Sequence, residues 1–183
     1  MDNGTLTQMS FARRGETTKA MRRVAERERL DPEIGPMKVA PPAPSQPPSV
    51  PVEYRFGDSL ALVGYNAEPA RPAAGDNLTV ALHWRALAKP AADYAVSVQL
   101  LDEAGRLVAQ HDSPPVAGDY PASYWAADEE VTDRHSLTIP EDAPGGVYRL
   151  VAVVYTVAGQ KRLPVAGAGD NAPFAQISLP PER

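Results

Sequence analysis

The chain has 183 residues, no cysteine and a formal net charge of -5. The missing cysteines exclude disulfides, thiolate nucleophiles, cysteinyl zinc sites and iron–sulfur clusters held by cysteine. Residues 39–183 carry ten Lys/Arg against seventeen Asp/Glu, and so acidic a stretch argues against nucleic-acid binding, which rests on clustered cations.

Three compositions follow one another. Residues 1–35 are charged and partly helical in pattern, 36–52 are proline-rich, and 53–180 read as strand and turn. No apolar run approaches the ~20 residues that cross a bilayer. Arg13, Arg14, Arg22 and Arg23 interrupt any signal-peptide core, so the chain as written carries no export address.

Thr17 or Thr18 can cap a helix running from Lys19 to Glu28, with Met21, Val24 and Ala25 on one thin apolar stripe. Asp31-Pro32 stops it. Three turns are marginal alone in water, which leaves a solvated helix and a partner-docking helix both open. Thr7-Gln8-Met9, Ala12-Arg13-Arg14-Gly15, Thr18, Met21, Val24-Ala25, Glu28 and Asp31-Pro32-Glu33 resemble the amino-terminal stretch of phosphomethylpyrimidine synthase, a radical enzyme of thiamine biosynthesis. The likeness covers residues 5–34. It implies a fragment of, or fusion to, such an enzyme. It brings no activity, because that family needs a (β/α)-barrel and a carboxy-terminal cysteine motif, and this chain has no cysteine.

From Pro36 to Pro51, seven of sixteen residues are proline. Fixed φ and missing amide donors forbid helix and central strand, so polyproline II geometry and a semi-rigid spacer are expected. Pro41-Pro42-Ala43-Pro44 also matches PxxP, a ligand pattern that is frequent in plain spacers.

Beyond it, period-two alternation is clear. Leu78, Val80, Leu82 and Trp84 share one face, and Tyr94, Val96, Val98 and Leu100 another, with Ser97 and Gln99 outward. Asp102-Glu103-Ala104-Gly105 predicts a hairpin turn returning through Arg106–Gln110. Further strands are expected at Leu60–Tyr65, Val131–Ile139, Val147–Val157, Lys161–Val165 and Ala175–Leu179. About eight strands without helix-length patterns predict an all-β, immunoglobulin-like antiparallel sandwich. Pro144-Gly145-Gly146-Val147-Tyr148-Arg149-Leu150 resembles a tyrosine corner, which predicts a buried Tyr148 ring whose hydroxyl returns to the backbone.

Phe56-Gly57-Asp58, Leu62-Val63-Gly64-Tyr65, Gly75-Asp76, Leu82-His83-Trp84-Arg85, Gln110-His111-Asp112, Tyr120-Pro121, Trp125, Tyr148-Arg149-Leu150 and Arg162-Leu163-Pro164-Val165 carry a second resemblance. Residues 53–166 are similar to the soluble carboxy-terminal β-sandwich of bacterial membrane glycosyltransferases related to the dolichyl-phosphate-mannose protein mannosyltransferases, notably of Chloroflexi type. The resemblance implies a non-catalytic accessory module that supports glycan contact or assembly at the cell envelope, outside the cytoplasm. A glycan or a membrane glycosyltransferase is the partner it implies. That family's catalysis lies in membrane helices, so transferase activity does not carry over. Ala122 and Asp128 depart from a pattern that usually shows threonine and glycine.

The remaining constellations are sparse. His83 and His135 read as outward strand positions and His111 as the opening of a loop. No close histidine pair is evident, and neither metal nor cofactor is expected. Asp128-Glu129-Glu130 and Glu141-Asp142 supply carboxylates but no evident cleft, so no catalytic residue is assigned. Tyr120, Tyr124 and Trp125 are the candidate carbohydrate contacts, as a stacking platform; the competing reading makes Trp125 a loop anchor with Tyr120 packed against it. Beside the accessory-module reading stands a third, a carbohydrate-binding module working alone.

Overall fold

A computed structural model describes residues 46–181. The capped helix, residues 5–34 with their likeness to phosphomethylpyrimidine synthase, and the PxxP match lie outside the described residues. Eight strands make two four-stranded antiparallel sheets. β1 (Val50–Phe56), β2 (Leu60–Glu68), β3 (Asn77–Ala86) and β6 (Glu130–Thr138) form the first sheet, in the order β1-β2-β3-β6. β4 (Tyr94–Leu101), β5 (Leu107–Ser113), β7 (Gly146–Thr156) and β8 (Ala172–Leu179) form the second, in the order β5-β4-β7-β8. The described residues therefore form the expected two-sheet sandwich.

The core follows from alternation. Leu78, Val80, Leu82 and Trp84 of β3 face Val96, Val98 and Leu100 of β4 and Leu150, Ala152 and Val154 of β7, all buried in one cluster. Large side chains removed from water in this way stabilise by about 1.5–3 kcal/mol each. Trp84 meets Phe56 edge to face at 5.3 Å, yet its indole Nε1 has no hydrogen-bond partner. The tyrosine corner forms as predicted: Tyr148 is buried and its hydroxyl donates to the Pro144 carbonyl at 2.6 Å.

Several expectations are corrected by pairing that sequence alone does not reveal. β1 begins at Val50, inside the proline stretch, and Pro51 is tolerated there because β1 is an edge strand. Gly64 is indispensable beneath that stretch, since a Cβ on it would overlap the Pro48 ring. Lys161–Val165 makes only single bridges, Tyr155 with Arg162 and Phe56 with Val165. β5 runs on to Ser113, so His111 is a strand residue and not the opening of a loop.

His135 is the clearest correction. Pairing with β3 sets Leu78 against Leu137, Val80 against His135, Leu82 against Asp133 and Trp84 against Val131. Asp133 and His135 therefore share the inward phase of Val131 and Leu137, and their side chains are fully buried. His83 does face outward, but it is covered. Asn66 Oδ1 meets its Nε2 at 2.5 Å, Thr132 lies at its Nδ1, and Asn66 in turn donates to Ser49. Burial, reinforced by Arg134, lowers the His83 pKa and favours the neutral ring.

Candidate functional site

Strand register builds a polar groove on the outer face of the second sheet. The inward residues of β4 are apolar, so the alternate ones, Ser97 and Gln99, point away from the core. Ser97 pairs with Asp112 on one side and Val153 on the other, and Gln99 with Gln110 and Val151. Two rows of outward side chains thus cross β5, β4 and β7. Beyond β7 the chain turns back, with Gln160 N donating to the Thr156 carbonyl at 2.8 Å, and adds Gln160 and Arg162 to the rim. The groove has a volume of about 400 Å³, within the ~300–1,000 Å³ of small-ligand sites.

Tyr155 is its organising residue. Its hydroxyl donates to Asp112 Oδ1 at 3.4 Å, although β7 and β5 stand on opposite sides of β4. Two inter-strand gaps amount to about 9.6 Å at ~4.8 Å each. The phenol therefore extends across β4 to reach Asp112. Burial pushes the Tyr155 phenol above its ordinary value, and the Asp112 charge and hydrogen bond add to that. Gln99 Nε2 donates to Ser97 Oγ at 3.2 Å, and Arg162 donates to Asp170 at 3.1 Å.

Chemically, three glutamines offer both donors and acceptors, beside an aromatic ring with an apolar face and a polar tip; Ser97 is buried beneath them and taken up by Gln99. A sugar presents matching surfaces: hydroxyls that donate and accept, and an apolar ring face. Among the described residues, one carboxylate, Asp112, lines the groove.

A second polar cluster lies inside the same edge. His111 Nδ1 and His135 Nδ1 are 3.0 Å apart, and His135 Nε2 lies 2.9 Å from Asp133 Oδ2. The expectation of no close histidine pair is thus overturned, because β5 and β6 are the adjoining edges of different sheets and bring together residues 24 apart in sequence. Asp133 Oδ1 also accepts from the Val116 amide at 2.8 Å. That bond holds a turn in which Val116 and Ala117 have φ of 55° and 53°, a costly conformation for a β-branched residue. Among the described residues, no group of three or more His, Asp or Glu is placed to hold a metal ion.

The aromatic loop sits between β5 and β6. Trp125 is 1% exposed and its Nε1 donates to the Tyr120 carbonyl at 3.1 Å. Tyr120 is 4% exposed, stacks on Trp125 at 6.5 Å and donates to Glu129 Oε1 at 2.6 Å. Tyr124 is partly buried against the core. Neither Tyr120 nor Trp125 has a bare face for a sugar; their geometry is that of the anchor. Asp128 takes φ of 64°, so the position where the resembled pattern carries glycine does need a left-handed backbone, which aspartate tolerates. The acidic residues here have separate tasks, Glu129 fastening the Ala126 amide and Glu130 pairing with Arg85 at 2.6 Å.

The groove escaped sequence reading because its residues come from three strands whose adjacency is not local. The usable signal was the outward Ser97 and Gln99, matched by polar residues at Gln110 and Asp112.

No protein-family model matches the chain, and no curated protein matches it. Among solved structures it is similar to the C-terminal domain of Wzt, with a TM-score of 0.53 and 9% identity over 76% of this chain and 84% of that one. That likeness is one of fold. A β-glucuronidase from glycoside hydrolase family 2 aligns at a TM-score of 0.39 and 10% identity, covering 62% of this chain but 10% of the other, too low to carry an argument. No helix among the described residues is long and apolar enough to cross a membrane.

Proposed function

We propose that the sandwich is a non-catalytic accessory module that contacts glycan through the outer face of its second sheet. The observation that carries this reading is the groove itself, with Tyr155 laid across β4 among Ser97, Gln99, Gln110 and Asp112. The resemblance of residues 53–166 to glycosyltransferase tails agrees with it, and suggests that the module serves glycan assembly at the cell envelope beside a membrane glycosyltransferase. The likeness to the Wzt domain supports the sandwich on which the reading is built.

The test is retention of the full chain on immobilised bacterial surface polysaccharides. Tyr155→Ala and Gln99→Ala should each weaken retention about tenfold or more, a loss of ~1.4 kcal/mol, with the sandwich still folded, because neither side chain belongs to the buried core cluster. No retention of any polysaccharide, or retention by both variants equal to that of the parent chain, refutes the proposal.

A further inference from the structure

Two ionised side chains line the groove, Asp112 and Arg162, and each already has an internal partner. The Tyr155 phenol donates to Asp112, and Arg162 is paired with Asp170 at 3.1 Å. Every other polar group of the lining, Ser97, Gln99, Gln110 and Gln160, is neutral. Arg149 and Lys161, the cations nearest in sequence, do not line it. Residues 39–183 as a whole are acidic, with ten Lys/Arg against seventeen Asp/Glu.

A polyanion is therefore opposed by the summed negative charge, and the one guanidinium it meets at the rim, half exposed, already has its Nη1 on Asp170 at 3.1 Å. Recognition of carboxylate or phosphate depends on a fork of Arg donors left available to the ligand. An uncharged sugar hydroxyl has no such requirement, since it accepts from a glutamine amide or donates to Asp112 without any cation.

Resting on the glycan-contact reading, we propose that the groove takes uncharged polysaccharide and discriminates against chains bearing uronate or phosphate.

The experiment is an array of bacterial surface polysaccharides sorted into neutral and anionic sets, probed with the full chain at low and high ionic strength. Neutral chains should bind with an affinity that salt does not change, since no exposed ion pair forms for salt to screen. Tyr155→Ala should weaken that binding about tenfold or more while the sandwich remains folded. Preference for anionic chains, or binding that weakens with salt, overturns the charge discrimination while leaving glycan contact intact. Neutral binding that survives Tyr155→Ala overturns the groove as its place. Absence of binding to either set overturns this inference together with the reading on which it rests.

Discussion

Replacing Asp133 by alanine and by asparagine should give sharply different losses of stability. Asp133 is fully buried and serves two donors, the Val116 amide on Oδ1 and the His135 ring on Oδ2. With both rings neutral, the bonds admit one arrangement. His135 carries its proton on Nε2 toward the carboxylate, so its Nδ1 accepts, and His111 donates from Nδ1. Alanine leaves two polar partners unmet, at roughly 1–3 kcal/mol each, or about 2–6 kcal/mol in all. Asparagine keeps an oxygen for Val116 but presents an amide N–H₂ to His135. The chain of bonds can invert: His135 moves its proton to Nδ1, accepts the amide at Nε2 and donates to His111, whose own proton moves to Nε2. Asp133→Asn should then lie within about 1 kcal/mol of the parent, since it also removes the cost of burying a carboxylate. Urea unfolding gives the two losses, and long-range ¹⁵N–¹H spectra of the imidazoles report the tautomer. An asparagine variant as unstable as the alanine one, or a His135 proton still on Nε2, would refute the inverted chain.

The aromatic loop offers a second check: Trp125→Ala should cost about 3–5 kcal/mol, as a buried aromatic truncation, and the Trp125 fluorescence should resist acrylamide quenching. A cost below 1 kcal/mol would mean that the indole is no anchor. A third concerns alkali. Burial raises the Tyr155 phenol, and those of Tyr148 and Tyr65, above the reference of 10.0. The folded state therefore binds these protons more tightly, so their stabilisation is whole below pH ~10 and is lost as pH rises through the raised values. Tyr155→Phe should flatten the alkaline decline of melting temperature measured from pH 8 upward, and an unaltered slope would contradict it.

Much of the sandwich is local information. The period-two runs at Leu78–Trp84 and Tyr94–Leu100 name their own inward faces, and the corner at Tyr148 is written in consecutive residues. What escaped reading is pairwise. His135 looks solvent-facing because polar residues usually are, and only its register with Val80 places it inside. Pro51 looks incompatible with a strand until β1 proves to be an edge. The candidate contacts Tyr120 and Trp125 illustrate the same limit from the other side. An aromatic-rich loop has the composition of a platform and of an anchor alike, and burial alone separates them. Tyr155 gave no local hint of its role, since a tyrosine in an apolar strand is ordinary until its hydroxyl is traced to Asp112.

The two polar clusters of this molecule meet in one strand. β5 is an edge, hydrogen-bonded through its backbone to β4 alone, and an edge strand is held less firmly than a central one. Its successive residues look in opposite directions: His111 turns inward to His135 of the other sheet, and Asp112 turns outward to Tyr155. The inward bond ties β5 to β6, and through Asp133 to the turn at Val116 that follows β5 directly. Asp112 thus hangs on a strand fixed from three sides, by its ladder, by the histidine bond and by the turn at its end. Rigid placement of a few polar groups is what a neutral ligand demands, because weak hydrogen bonds repay the entropy of binding only when the partner side chains have already been ordered. Under the proposed glycan contact, the Asp133–His135–His111 chain serves to position the groove without touching anything that the groove would hold.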